Sequence, residues 1–233
     1  MRGAWCVVRG ASESTQECLV ISTVAFDIGE TLIDETRIWS RWADRLRVPH
    51  LAFMGVLGGL AAQGRSHREV FEFFSPGFDL QDELERWRIE DPDGLRSSFD
   101  GEDLYQDVRP TFARLRGMGK RVLIAGNQPL QARDALDAME LGADAIVLSA
   151  DLGVEKPSPE FFEEVAQMSG SEPDEVLYVG DRLDNDVLPA RSVGMKAFLI
   201  RRGPWGYLHA EWPQAGQADA IIDSLSEIPD LLL

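Results

Sequence analysis

The sequence predicts an α/β protein, a doubly wound parallel sheet carrying a helical insertion, and three observations predict it. Thr23-Val24-Ala25-Phe26 is a run of apolar and β-branched residues stopped by Asp27, the pattern of a strand buried on both faces. Beyond Leu104, further short apolar runs alternate with helix-length amphipathic segments, as βα units do. Between these regions, residues 34–104 hold helical stripes and turn signals but no strand pattern.

Taken in order, residues 1–19 read as a leader. Ala11–Glu17 is polar and without periodicity, and an extra edge strand around Trp5–Arg9 is the alternative. The first strand follows at Thr23. Ile38, Trp39, Trp42 and Leu46 then recur at helical spacing until Pro49 breaks the run. Leu51–Gln63 is apolar with three glycines, and Val70, Phe71 and Phe74 form another helical stripe closed by Ser75-Pro76-Gly77. Asp82–Ile89 is a short charged helix with Leu84 and Trp87, and Asp91-Pro92-Asp93-Gly94 a turn. The aromatics of this module (Trp39, Trp42, Phe71, Phe73, Phe74, Trp87) are expected to form its own core.

Leu104, Val108, Phe112 and Leu115 stripe a helix closed by Gly117 and Gly119. The second strand is Arg121–Asn127. Pro129–Leu141 is a helix with Gly142 just past its end, and Ala145–Ser149 a third strand. Ser158 and Pro159 make an N-cap and first-turn pair for a helix ending near Gly170. Glu175–Gly180, Lys196–Ile200 and Ala218–Asp223 supply the remaining strands, with a helix over Asp186–Val193. The expected organisation is a leader at 1–19, a Rossmann-like core at 20–33 and 105–233, and an inserted helical module at 34–104.

Composition limits what such a chain can bind. Forty acidic against 23 basic side chains give a formal net charge of −17, which repels phosphate backbones and argues against nucleic acid as a partner. An anionic small molecule would need a metal ion or local cations in its site. Cys6 and Cys18 are the only cysteines, neither a disulfide framework nor a zinc site, and a reducing cytoplasm is the simplest setting. No apolar run has the length to span a bilayer, and the first residues are too interrupted for a signal peptide, so no membrane partner is expected. Oligomeric state is left open.

Ligands of doubly wound sheets sit beyond the carboxyl ends of the strands. Asp27 stands at the first such end, where an aspartate serves as a nucleophile or as a ligand for a hard cation, and otherwise as a turn cap. The second strand ends in Gly126-Asn127, whose backbone N–H groups and amide could hold an anion. Lys156 lies just ahead of a helix N-terminus, a placement that suits a phosphate. The fourth strand runs into Gly180-Asp181-Arg182-Leu183-Asp184-Asn185-Asp186, rich in hard oxygen ligands. Each feature alone has a bland alternative; together, in this order, they describe one site.

The set resembles the haloacid dehalogenase-like hydrolases over residues 20–233. Its most specific pieces are Lys156-Pro157-Ser158-Pro159-Glu160-Phe161-Phe162 and Val179-Gly180-Asp181 through Asp186-Val187, with Ala190, Gly194 and Met195. The resemblance implies that Asp27 is a phosphoryl-accepting nucleophile oriented by Thr31. It implies that Gly126 and Asn127 flank the phosphate, and that Lys156 neutralises nucleophile and phosphate. Asp27, the backbone carbonyl of Gly29, Asp181 and Asp186 would hold Mg²⁺. The implied activity is a Mg²⁺-dependent phosphohydrolase acting on a small phosphorylated substrate, with residues 34–104 as its helical cap.

Two departures qualify that expectation. Gly29 stands where the family's phosphatases carry a second, proton-transferring aspartate, a group worth about 10²–10⁴-fold. Glu30 is a poor substitute, because in an extended continuation its side chain would face away from Asp27. Gly126 stands where a Ser or Thr usually binds phosphate, one hydrogen bond worth ~1–3 kcal/mol to a charged group. An impaired member that binds a phosphorylated ligand or a protein partner is therefore the alternative. Carbon–halogen cleavage needs no metal, which Asp181 and Asp186 argue against. A phosphonatase-type reaction needs a cap amine, and no lysine precedes Lys120. His50, His67 and His209 are expected at the surface, and Arg201–Gly206 in a loop at the site rim or in a packed turn.

Overall fold

The computed structural model describes residues 20–233, so the expected leader and its alternative edge strand lie outside the described residues. Six strands form one parallel sheet in the order β3-β2-β1-β4-β5-β6. They are β1 (Thr23–Phe26), β2 (Arg121–Gly126), β3 (Ala145–Leu148), β4 (Val176–Gly180), β5 (Lys196–Ile200) and β6 (Ala220–Ile222). The chain runs outward from β1 through β2 to β3, then returns to pair β4 on the other side of β1. That reversal opens a crevice at the carboxyl ends of β1 and β4, where doubly wound sheets bind ligands.

The alternation of side chains along each strand divides the core. Val24, Phe26, Val122, Ile124, Leu177 and Val179 pack on one face with Phe112. Ala25, Leu123, Ala125 and Tyr178 pack on the other with Phe161, Phe162 and Val165. Both faces are dry, which is why β1 and β4 read as continuous apolar runs.

Residues 34–104 contain α1 (Thr36–Arg45), α2 (His50–Ala62), α3 (Glu69–Phe74) and α4 (Leu80–Glu90). Trp42, Phe71 and Trp87 are buried in this module as expected, Trp42 edge-on to both other rings. Phe73 is instead 64% exposed, and Trp39 is half-buried, with its indole N–H spent on a carboxylate. The entering and leaving chains run side by side: Ile33 bridges Leu104 antiparallel, the Asp34 N–H donates to the Asp103 carbonyl, and the Tyr105 N–H to that of Leu32. Arg37 ties α1 to the exit by donating from Nε and Nη2 to the two oxygens of Asp103, 2.6 Å each.

The rest of the core adds α5 (Val108–Gly117), α6 (Ala132–Ala138), α7 (Ser149–Leu152), α8 (Pro159–Ser169), α9 (Leu188–Ser192), α10 (Gly203–His209) and α11 (Ile228–Leu231). Gly170 ends α8 at φ +69°, the left-handed conformation that favours glycine at a helix stop. Three expectations are corrected. The helix expected over Pro129–Leu141 is shorter, because Pro129–Gln131 form a separate turn and Glu140 turns to φ +49°. The helix expected over Asp186–Val193 is a wide π-type turn over Leu183–Val187 followed by α9, wound around the Asp186 carboxylate, which accepts from the Arg182 N–H at 3.0 Å. The segment after β5 is a packed element leading into α10, and His209 within it is fully buried, its Nδ1 accepting from the Leu183 N–H at 3.0 Å.

Candidate active site

Three chain segments converge at the crevice. Asp27 leaves the end of β1, Asp181 the end of β4, and Asp186 comes back from the turn that follows. All three are buried, and one oxygen of each lies within 4.8 Å of the others, the spacing of donors around a single cation. Gly180 makes room for this: a Cβ there would meet the Asp186 carboxyl carbon at 2.5 Å. Lys156 reaches in from the loop before α8 and donates from Nζ to Asp27 Oδ1 at 2.5 Å and Asp186 Oδ1 at 2.6 Å. Its ammonium also lies 5.6 Å from the Tyr178 ring centre, and the Tyr178 hydroxyl is spent on the Ala125 carbonyl.

Three buried carboxyl groups face one ammonium, so ionising all three would leave two negative charges uncompensated. Burial, against the pull of Lys156, pushes the Asp27 carboxyl up to about 6. Burial and then the Asp186 and Asp27 charges push Asp181 well above the carboxylate range. Burial works against the Lys156 ammonium, but Asp186 and Asp27 outweigh it and hold its pKa well above the ordinary lysine value. Asp27, Asp181 and Lys156 therefore all favour more positive charge, which a divalent ion would supply. The donors are hard oxygens, as Mg²⁺ requires. The Gly29 carbonyl accepts no hydrogen bond among the described residues and so has its lone pairs to offer.

Other expected residues take different places. Asn127 binds the backbone of Lys156 in both directions, accepting from its N–H at 2.8 Å and donating to its carbonyl at 2.9 Å. Its amide thus fixes the lysine loop, and only its remaining N–H is left for an anion. Gly126 packs against Asp27: a Cβ there would stand 2.9 Å from Asp27 Oδ1 and 3.0 Å from Ile28 Cδ1, so a Ser or Thr has no room in this arrangement. Thr31 is fully buried beside Asp27 in sequence, yet its hydroxyl has no partner among the described residues. Arg202 donates to the Thr31 carbonyl at 2.5 Å and pairs with Asp107, anchoring the loop from outside.

Glu30 is turned away from the reacting centre, though for a different reason than strand alternation. The chain leaves extended geometry there, at φ +50°. Its carboxylate accepts from the Tyr105 hydroxyl at 2.7 Å and the Glu35 N–H at 3.1 Å, with its Cγ pressed where a Gly203 side chain would begin.

Sequence reasoning missed Glu35. It ends the loop before α1, and its side chain folds back over Gly29, where a Cβ would stand 2.9 Å from the Glu35 carboxyl carbon. Oε2 accepts from the Trp39 indole N–H at 3.1 Å, and Oε1 has no partner among the described residues. Burial, then the Glu30 charge, raise its pKa to about 8. The one signal in the sequence was an acid six residues past a glycine. His67 completes the roof between Trp39 and Trp205, ring centres 5.7 and 6.2 Å away, and Arg182 lies 5.2 Å from the Trp205 ring. It is half-buried rather than at the surface.

Comparison with known proteins places this geometry. A family model described as haloacid dehalogenase-like hydrolase matches residues 21–194. The chain is 41% identical over 105 residues to a glyceraldehyde 3-phosphate phosphatase of Methanopyrus kandleri, covering 43% of this chain and 45% of that protein. It is 31% identical over 163 residues to the Homo sapiens phospholysine phosphohistidine inorganic pyrophosphate phosphatase, 60% of each chain. It thus spans about half the length of the curated relatives it matches. The HAD-hydrolase YfnB of Bacillus subtilis, a structure bound to magnesium, superposes at TM-score 0.66 with 18% identity, over 91% of this chain and 99% of that one. An L-2-haloacid dehalogenase of Xanthobacter autotrophicus superposes at 0.63 with 19% identity, over 91% and 98%. The structural likenesses show a shared fold, and the family match over most of the chain shows descent: this chain belongs to the haloacid dehalogenase-like hydrolases.

Proposed function

We propose that the chain is a Mg²⁺-dependent phosphohydrolase that cleaves a small phosphorylated metabolite through an aspartyl-phosphate at Asp27. The observation that carries this reading is the buried set Asp27, Asp181 and Asp186 converging on one point beside Lys156 at a switch-point crevice. The curated relatives are phosphatases by name, and a solved relative binds magnesium.

Asp27, Asp181, Asp186 and the Gly29 carbonyl would hold Mg²⁺, which would offset the repulsion between these carboxylates and an incoming phosphate. Lys156 draws a phosphoryl oxygen towards Asp27 and balances the charge that develops on it. A free Asp27 oxygen attacks phosphorus, the bond to the leaving oxygen breaks, and water then attacks the phosphorus of this acyl phosphate, breaking its bond to Asp27 and releasing phosphate. Residues 34–104 act as a cap, with Trp39 and His67 packed over the crevice beside Trp205. Gly126 leaves phosphate binding on that side to backbone N–H groups.

Phosphate release from acetyl phosphate, p-nitrophenyl phosphate and a sugar phosphate tests the proposal, with and without Mg²⁺. Release that needs Mg²⁺ and disappears in Asp27→Asn is the expected result. Mg²⁺ binding without turnover of any of the three would overturn the enzymatic reading in favour of a binding protein.

A further inference from the structure

A phosphoryl transfer to Asp27 leaves two protons to be moved: one onto the departing oxygen, one off the water that later attacks. Most groups around the crevice are already committed. Lys156 is held by Asp27 and Asp186, and Asp181 and Asp186 belong to the cation set. Glu30 is occupied by Tyr105 and the Glu35 N–H, and His209 Nδ1 by the Leu183 N–H. Glu35 is different. One carboxyl oxygen is fixed by Trp39, the other has no partner among the described residues, and the carboxyl lies over Gly29, two residues from the nucleophile.

We infer that Glu35 is the proton-transferring catalytic residue of this site, its carboxyl filling the space left open by the glycine at position 29. The two positions exclude each other: any side chain at 29 would begin 2.9 Å from the Glu35 carboxyl carbon. The placement is held from both ends, since the Glu35 N–H donates to Glu30 Oε1 at 3.1 Å and Trp39, one turn into α1, grips Oε2. In the first step, an Asp27 oxygen bonds to phosphorus, the phosphorus–oxygen bond to the leaving group breaks, and the Glu35 carboxyl gives that oxygen its proton. In the second, the Glu35 carboxylate takes a proton from water, the water oxygen bonds to phosphorus, and the bond to Asp27 breaks. Phosphate leaves and both residues return to their starting states. Because Glu35 sits at the start of the insertion, proton transfer is available only when that segment is seated on the core.

This inference rests on the phosphohydrolase reading, and the test separates the two. Wild type, Asp27→Asn, Glu35→Gln and the double variant Gly29→Asp with Glu35→Ala are assayed on p-nitrophenyl phosphate and on an alkyl (sugar) phosphate. Glu35→Gln keeps the size of the side chain and an oxygen for Trp39, and thermal unfolding checks that it is folded. The expected result is a loss of about 10²–10⁴-fold on the alkyl phosphate. With p-nitrophenyl phosphate, a burst of one p-nitrophenol per enzyme is expected, with phosphate trapped on Asp27 and detected by mass spectrometry. The double variant, which moves the carboxyl to position 29, is expected to regain turnover. An equal loss on both substrates without trapped phosphate and without recovery would mean a structural role and overturn the inference, as would unchanged activity. Wild-type inactivity on every substrate overturns the underlying reading together with it.

Discussion

The floor and the roof of the crevice are built by different physics. The floor, Asp27, Asp181, Asp186 and Lys156, stands on strand ends and the loop before α8, is nearly dry, and is governed by charge. The roof, Glu35, Trp39, His67 and Trp205, comes from the insertion and α10, and is governed by ring packing and one indole–carboxylate hydrogen bond. The floor is an electrostatic problem, one of holding buried carboxyl groups around a single ammonium; the roof is a packing problem that decides where a carboxyl ends up. A change in one half should therefore answer to Mg²⁺, and a change in the other should not.

The largest effect is expected from Lys156→Met. It removes the sole ammonium of the buried cluster, and leaving buried charge unpaired costs about 3–5 kcal/mol. Chemical denaturation with and without Mg²⁺ checks it: the loss should shrink when Mg²⁺ is present. Indifference to Mg²⁺ would break the comparison. Next, saturating Mg²⁺ should stabilise the wild type by ~2.7 kcal/mol at a hundredfold excess over its dissociation constant. In Asp181→Asn that gain should vanish, while the metal-free protein becomes no less stable, because burial and the neighbouring carboxylates already disfavour a charge at that position.

His67 gives the roof a pH dependence of its own. Burial, then Arg182 and Arg68, lower the His67 pKa to about 4 from an ordinary 6.5. Folded His67 therefore stays neutral where the unfolded chain takes up a proton. Its contribution is intact above pH 6.5 and drains as pH falls from there towards 4, about 2 kcal/mol by pH 5. His67→Phe should flatten that part of the stability profile; an unchanged slope would assign it to other groups. The smallest effect is at the seam. Gly29→Ala forces a Cβ against the Glu35 carboxyl, which should cost ~1–2 kcal/mol in unfolding free energy. It should also shift the Trp39 environment, read by tryptophan fluorescence, while leaving the Mg²⁺ response in place.

The floor was almost entirely legible in the sequence. Asp27 and Asp181 each end an apolar run, and a strand's direction fixes where the residue after its last buried position emerges. Lys156 was marked by the Ser158-Pro159 helix start that follows it. Less legible were the roles decided by a partner far along the chain. Asn127 read as an anion ligand, and its sequence neighbourhood held no sign that it also clamps the Lys156 backbone, a pairing between residues 29 positions apart. His209 read as a surface residue because its neighbourhood looks like a loop; α10 carries it beneath the Asp186 turn, where it is fully buried.

Glu30 and Glu35 show the limit most sharply. Both are acids within eight residues of Asp27, and their order along the chain favours Glu30. A single left-handed residue at Glu30 reverses the ranking, sending its carboxylate to Tyr105 and bringing Glu35 back over Gly29. The sequence by itself determined the parallel sheet, the strand ends and the charged floor, because periodicity and run length are local properties that survive without knowledge of the fold. Only the tertiary structure decided which carboxyl lies over Gly29 beside Asp27, because that depends on a backbone turn and on the seating of α1, set by contacts between segments far apart in the chain.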